Sequence, residues 1–334
     1  MNVNLNNVKP YLLSKRITSD KMITLDWNES PFEPIPVIQY FEKHKFTKLN
    51  SYPDPSNSDL KKEISRYTNV DESYIETFNG SDSALDYTFR VLVNHGDQVL
   101  IPTPNYTQIN QTIVSLGGEI IYCTIEELTN QIKVKQPKIV YLSNPNNPLG
   151  YNIEVLSMIL ENTNIYFVID EAYFEFSNNF SVFDKAQNIE NLIVTRTFSK
   201  ALCLAALRLG YLTSNQNILK KIRSIKNFKE VNKLAEIAGV VTLKNIDWYN
   251  KSIDEINRIK VNFAKNLKNV KIFNSSANFI LIQSDKYCEI LEELQKENIL
   301  VRDRSAYVDN TLRISIGKEN DMSNVSQIIN KITK

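Results

Sequence analysis

Histidine is nearly absent from this chain, with two in 334 residues. His44 and His95 stand alone. No Cys/His cluster has metal-ligand spacing, so the sequence offers no metal site. Cysteine is scarce as well. Cys123, Cys203 and Cys288 are an odd, scattered set, which argues against a disulfide framework and fits a reducing cytosol. No apolar run approaches the roughly 20 residues of a membrane helix, and residues 1–16 lack the apolar centre of a signal peptide. An excess of charge is missing too. With 39 basic against 38 acidic side chains, there is no electrostatic case for nucleic acid or an anionic membrane. What remains is a chain with 42% hydrophobic residues, long enough for one large core and a smaller second one. The expectation is a cytoplasmic protein that handles small molecules.

The stretch Val194-Thr195-Arg196-Thr197-Phe198-Ser199-Lys200-Ala201 organises the rest. Residues 192–194 are an apolar run that reads as a buried strand. Residues 201–209 hold a weak helical turn with Arg208, and 211–213 read as another short strand. A lysine after a buried strand, with a hydroxyl before it and an arginine eight positions on, suits a Schiff-base lysine beside an anion site. Taken by itself it could equally be a surface lysine.

Around that stretch the chain alternates. Strands are expected at 99–101, 119–122, 139–142 and 165–169, with helices at 105–116 and 155–161 between them. Short buried strands separated by helices argue for a mostly parallel α/β sheet. Ligands of such sheets sit beyond the carboxyl ends of the strands, where Asn147, Asp170 and Lys200 fall. Upstream, Phe78-Asn79-Gly80-Ser81-Asp82-Ser83 opens a helix running to residue 93. Its free N–H groups and positive dipole end form a natural anion cradle, although a plain N-cap by Ser81 or Asp82 would read the same way. Residues 217–270 look helical and Lys-rich, with Gly239 a possible break. The tail alternates differently: strands at 279–283, 299–302 and 312–316, helices at 286–297 and 321–332. The expected division is an N-terminal arm (1–30), a large domain (31–230) and a small α+β domain (231–334).

Seven motifs occur in one order: Y-P-D-P, N-G-S-D, N-P-N-N-P-x-G, V-I-D-E-A-Y, R-T-F-S-K-A, L-R-L-G and L-R-I-S-I-G. In this the chain resembles the fold-type I, pyridoxal-phosphate-dependent aminotransferases, and within them histidinol-phosphate aminotransferase. The resemblance runs from about residue 25 to the last helix. It implies an aspartate aminotransferase-like fold, with a mostly parallel seven-stranded sheet between helices. Lys200 resembles the lysine that bonds the cofactor aldehyde and then moves a proton. Asp170 resembles the aspartate that keeps the pyridine nitrogen protonated. Asn147 and Tyr173 resemble the pair that hydrogen-bonds the ring hydroxyl. The resemblance assigns the cofactor phosphate to Ser81, Asp82, Ser199 and Arg208, with Asp82 giving its N–H rather than its carboxylate. Tyr106 is the choice for the aromatic stacked on the ring. Tyr52 resembles a tyrosine that reaches the phosphate of a neighbouring subunit, which implies a homodimer with shared sites.

On the substrate side, Arg313 resembles the arginine that grips a carboxylate. Arg302 matches a position suited to the substrate's own phosphate, and Asn28 of the arm is a further substrate-binding candidate. Arg304 matches nothing, and a surface salt bridge is expected there. Glu171 and Arg196 are expected to be structural. The implied activity exchanges an amino group, with glutamate as donor, on a small phosphorylated oxo compound. Asp26-Trp27-Asn28-Glu29-Ser30-Pro31 departs from the commoner L-N-A-N-E-N-P, so the substrate stays open. An amino-acid-phosphate decarboxylase would carry the same lysine, aspartate and arginine. A non-catalytic cofactor-binding protein is the alternative of another class.

Overall fold

The computed structural model describes residues 22–45, 50–177 and 180–334. The first 21 residues of the expected arm lie outside them. In chain order the described elements begin with β1 (Ile23–Leu25), α1 (Ile35–Lys43), α2 (Ser58–Thr68), β2 (Ile75–Phe78), α3 (Ser81–Leu92) and β3 (Gln98–Pro102). Next are α4 (Gln108–Ser115), β4 (Glu119–Cys123), α5 (Leu128–Lys135), β5 (Ile139–Ser143), α6 (Leu156–Glu161) and β6 (Tyr166–Asp170). Then follow β7 (Leu192–Thr197), β8 (Gly210–Ser214), α7 (Gln216–Ile225), α8 (Lys233–Lys244) and α9 (Ile246–Asn266). The chain ends with β9 (Lys271–Phe273), β10 (Phe279–Gln283), α10 (Tyr287–Lys296), β11 (Ile299–Asp303), β12 (Thr311–Ser315) and α11 (Glu319–Ile332).

Seven strands form one sheet in the order β2-β8-β7-β6-β5-β3-β4. Its pairs are parallel from β7 across to β4, and β8 runs antiparallel to both its neighbours. Every residue of β5 and β7 is buried, which is why these strands read as near-continuous apolar runs: helices cover both faces. Alternate side chains divide between two cores. Val140, Leu142, Phe167, Ile169 and Val194 join the cluster on one face, and Ile139, Tyr141, Val168 and Ile193 join the one on the other. That is the two-residue period of an extended chain.

A second sheet has the order β1-β11-β12-β10-β9. It is antiparallel apart from β1, which pairs parallel with β11. Phe279, Leu312 and Ile314 pack there with Ile256 and Phe263 of α9 and Val325 and Ile329 of α11. The arm therefore contributes an edge strand to the C-terminal sheet, three residues too short to show a period.

Gly239 does not break the helical stretch. It lies inside α8, where a Cβ would sit 2.6 Å from Leu209 Cδ2 and 2.7 Å from Leu60 Cδ1. The glycine is there for close packing. The helix ends instead before α8, where the Asn232 side chain accepts from the Ala235 amide as an N-cap, and again at Asn245. Ala235, Ala238, Val241 and Leu243 of α8 pack in the core of the seven-stranded sheet. For that reason we propose that the boundary between the two cores falls within α9 rather than at residue 230.

As expected, Glu171 and Arg196 are structural. Arg196 Nε donates to Glu171 Oε2 at 2.9 Å, and its guanidinium lies 4.0 Å and 4.4 Å from the ring centroids of Phe174 and Phe183. Glu175 is buried beside this pair, and among the described residues neither of its carboxylate oxygens has a hydrogen-bond partner. Burial pushes its carboxyl up from 4.5 to about 7, against the pull of Arg196. An acid whose folded pKa is raised stays protonated when folded while the unfolded chain ionises. Stability is therefore lost as pH rises from about 4.5 to about 7, by roughly 3 kcal/mol for a shift of this size. Glu175→Gln should flatten that segment of the stability–pH profile, measured by urea melts from pH 4 to 8. Parallel profiles for the two proteins would refute the assignment.

Candidate active site

The carboxyl ends of β5, β6 and β7, the first turn of α3, the arm and the β11–β12 edge enclose one cavity of about 680 Å³. Ser81, Asp82, Tyr106, Asn147, Asp170, Tyr173, Ser199, Lys200, Arg208, Asn28, Arg302 and Arg313 all line it. Tyr52 does not: the residue is 77% exposed, with Lys229 Nζ 3.4 Å from its ring centroid.

Lys200 follows the end of β7 in a loop closed by Phe198 N–H to Leu209 O and Leu204 N–H to Phe198 O, both at 2.9 Å. Its Nζ donates to the Trp27 carbonyl at 2.8 Å. Burial, then the charges of Arg313 and Arg208, bring the amine down to about 8, although Asp82 and Glu29 oppose the shift. Across the cavity, Asp170 ends β6 and is buried. Thr195 Oγ1 donates to it at 3.1 Å and the Tyr141 hydroxyl at 3.3 Å. Burial raises its carboxyl to about 7, helped by Asp82 and resisted by those hydroxyls and the Ala172 amide. These contacts are neutral donors, so the carboxylate is placed to hold a cationic ring N–H.

The anion cradle is built by two glycines. Gly80 has φ +84°, and a Cβ there would lie 2.6 Å from Arg208 Nη2. A Cβ on Gly210 would lie 2.3 Å from the Ser81 amide nitrogen, so only glycine lets β8 pass under the start of α3. Arg208, in the left-handed region at φ 53°, donates to Ser199 Oγ at 3.3 Å and to Asp82 Oδ2 at 3.1 Å. Guanidinium, hydroxyl and helix N-terminus converge on one point, the donor set a phosphate dianion needs. The residues thus fit pyridoxal phosphate at both ends, ring nitrogen and phosphate. The expectation for Asp82 is its N–H rather than its carboxylate; the carboxylate nonetheless faces the cavity, where it pairs with Arg208 and accepts from the Tyr106 hydroxyl at 2.7 Å. The Tyr106 hydroxyl also lies 2.6 Å from the side-chain amide of Gln108, so its ring is held by its far end.

Asn147 and Tyr173 meet as expected, and Asn28 joins them. The Tyr173 hydroxyl accepts from Asn28 Nδ2 at 2.9 Å and from Asn147 Nδ2 at 3.3 Å. Asn28 is fixed in turn by Ser315, whose Oγ accepts from its N–H and donates to its Oδ1, both at 2.9 Å. Arg313 is buried, and its fork donates to Asn147 Oδ1 and to the Asp26 carbonyl, each at 2.6 Å. Arg302 stands directly opposite Arg313 across the β11–β12 pair. Arg304, expected on the surface, lines the cavity as well. Residues 302 and 304 share a face of an extended chain, and that two-residue spacing was the available signal. Sequence reasoning also missed Asp26, Trp27 and Glu29 as cavity residues, and Tyr141 and Thr195 as the holders of Asp170. Among the described residues no cluster of three metal-ligating side chains occurs, and no helix is long and apolar enough to cross a membrane.

The sequence model of aminotransferase class I and II matches residues 20–330. A dihydroxyacetone phosphate transaminase of Campylobacter jejuni is 36% identical, with 100% of this chain and 97% of that protein covered. A histidinol-phosphate aminotransferase of Methanocaldococcus jannaschii is 30% identical over 97% of this chain and 95% of its own. Among solved structures, the histidinol-phosphate aminotransferase of Sinorhizobium meliloti, in complex with pyridoxal 5′-phosphate, superposes with a TM-score of 0.82. It is 23% identical, over 94% of this chain and 91% of that one, and shares the fold. Gly210→Ala should drive a methyl into the Ser81 amide, lower stability by about 2 kcal/mol and weaken phosphate-dependent cofactor retention. Thermal melts and the absorbance of bound cofactor check this; unchanged retention would mean the cradle lies elsewhere.

Proposed function

The chain belongs to the class I and II aminotransferases, and from that premise we propose that it passes an amino group from an amino acid, glutamate first among donors, to a small phosphorylated oxo compound. Pyridoxal 5′-phosphate is its cofactor. The observation that carries the reading is the opposed pair at the strand ends: an amine brought down to about 8 at Lys200 and a buried carboxyl raised to about 7 at Asp170, beside an anion cradle. The relative acting on dihydroxyacetone phosphate, similar along the whole chain, supports a small phosphorylated ketone as acceptor.

When bound, pyridoxal phosphate supplies an aldehyde that bonds amines and a ring that takes up the electron pair left when a substrate carbon loses its proton. The chain's residues do the rest. Near neutral pH an appreciable share of Lys200 is neutral, so Nζ can take the proton from the substrate Cα. Asp170 holds a proton on the ring nitrogen, since a carboxylate without a cation in a dry site favours one. Asn147 and Tyr173 hydrogen-bond the ring hydroxyl. Ser81, Asp82 through its amide, Ser199 and Arg208 hold the phosphate, and Tyr106 covers the ring. Arg313, held by Asn147 and the Asp26 carbonyl, orients a carboxylate. The net exchange turns an amino acid into its 2-oxo acid and the oxo compound into its amine, with no external oxidant.

The assembly in this reading is a homodimer, in which the exposed Tyr52 reaches the partner's cofactor phosphate; its exposure beside Lys229 supports this. A reducing cytoplasm suits three free thiols. Glutamate should convert the absorbance of the bound cofactor, and dihydroxyacetone phosphate or imidazole-acetol phosphate should restore it. Lys200→Ala should lose at least about 10³-fold in that half-reaction and take no covalent pyridoxyl label with borohydride. Carbon dioxide release from phosphoserine or phosphothreonine, with no oxo acid formed, would replace the transaminase by a decarboxylase.

A further inference from the structure

We propose that Asn28 is a positioning residue for Tyr173 rather than a contact for the substrate: its amide turns the Tyr173 hydroxyl proton toward the cofactor's ring oxygen. The proposal rests on the functional reading above, in which Tyr173 bonds that oxygen, and gives the arm a part in the chemistry. Its basis is that every polar group of Asn28 is already engaged. The N–H donates to Ser315 Oγ, and the side-chain oxygen accepts from the same hydroxyl, both at 2.9 Å. The backbone carbonyl accepts from Asn278 Nδ2 at 3.0 Å, and Nδ2 of Asn28 donates to the Tyr173 hydroxyl at 2.9 Å. A substrate could bond Asn28 only by displacing one of these partners, in a residue that is 1% exposed.

The backbone at this position is one that few side chains accept. Its φ is +56°, in the left-handed region, where Asn, Asp and Gly are the usual occupants. The small sheet supplies the anchors. Ser315 ends β12 and Asn278 directly precedes β10, and both are buried. The next residue, Phe279, meets the Tyr173 ring edge-on, with 5.3 Å between centroids. Adjacent positions at one strand start therefore hold Asn28 and the phenol it serves.

The donors fix the direction of each bond. Arg313 donates to Asn147 Oδ1 at 2.6 Å, and a guanidinium has no acceptor, so the amide nitrogen is the end of Asn147 that faces Tyr173, at 3.3 Å. Ser315 Oγ takes the Asn28 N–H and gives its own proton to Oδ1, which leaves Nδ2 for Tyr173. An oxygen that receives two protons has its own to give away. Of the two amides, Asn28 is the nearer. Burial pushes the Tyr173 hydroxyl up, while the charge of Arg313 and then the Asn28 amide pull it down. Asn28 thus makes a buried phenol a better donor. Asn147 also meets the ring oxygen in this reading, whereas Asn28 acts through Tyr173.

The test follows the pH midpoint of the bound cofactor's absorbance change in the holoenzyme, in Tyr173→Phe, in Asn28→Gly and Asn28→Asp, and in Tyr173→Phe combined with Asn28→Gly. A donor at the ring oxygen favours its anion, so losing one moves the midpoint up. Tyr173→Phe should raise it by about one unit and Asn28→Gly by about half a unit. Asn28→Asp, whose carboxylate takes the Tyr173 proton, should match Tyr173→Phe. The double variant should rise no further than Tyr173→Phe alone. In turnover, kcat of the Asn28 variants should fall about 10-fold, with KM for glutamate changed less than about 3-fold. Glycine keeps the backbone bonds to Ser315 and Asn278 and aspartate keeps the shape, so either variant decides if the other fails to fold. A shift in Tyr173→Phe with none in the Asn28 variants, additive shifts in the double variant, or a KM raised about 10-fold at an unmoved midpoint would overturn the proposal alone. No shift in Tyr173→Phe removes the ring-oxygen reading, and the proposal with it.

Discussion

One buried hydrogen-bond chain joins the two sheets, and the cavity depends on it. Ser315 of the small sheet holds Asn28 of the arm; Asn28 and Asn147 both donate to the Tyr173 hydroxyl; Arg313 holds the other end of the Asn147 amide. Five residues spread over almost the whole sequence meet in a dry site, where an unmet donor or acceptor costs more than one made in water. The chain also aims a proton. With two amides donating to it, the Tyr173 oxygen has both lone pairs engaged. Its own O–H is then the group left to point at a ligand in the cavity. A phenol so arranged is a donor for an oxyanion on a bound ring, a role that burial sustains by raising its pKa.

The electrostatics of the cavity follow from two burials of opposite sign. Taking Lys200 out of water brings its amine down, and taking Asp170 out of water pushes its carboxyl up. The two land within about one unit of each other, at about 8 and about 7. Environments that shift titratable groups in this way mark acid–base sites. Each shift also fixes what the group can do. An amine held near 8 exchanges protons at cellular pH, and a buried carboxylate that meets only hydroxyls and an amide is stabilised by any cation brought to it.

Much of this was legible because strand ends are legible. Apolar runs stopping at Asn147, Asp170 and Lys200 located the cavity before any contact was known, and Gly80 with Ser81 marked the cradle. Legibility failed where a residue's neighbours come from elsewhere in the chain. β1 is three residues paired to a strand far along the sequence, too short for a period. Gly239 looked like a helix break because glycine lowers helix propensity, whereas its reason is the Leu209 and Leu60 side chains pressed against it. α5 and β9 passed unnoticed, one with a weak apolar face and the other with an exposed edge. Arg304 looked like a surface residue because no motif contains it, yet it lines the cavity from the position just past the end of β11.

Pleating explains why two adjacent doublets, Asp170-Glu171 and Thr195-Arg196, split between chemistry and support. β6 and β7 pair in parallel with Asp170 opposite Thr195, so residues at matching positions share a face. On that face Thr195 and Tyr141 hold the Asp170 carboxylate. One residue on, the side chains turn the other way. Arg196 enters the core beside Phe183 and Tyr211 and pairs with Glu171. A buried ion pair adds little net stability, but breaking it is costly. Its placement nonetheless fixes the backbone of both strand ends just where Asp170 and, four residues past Arg196, Lys200 must be held. The cavity carboxylate can remain without a permanent cation because the structural one, a single residue away, already has its own.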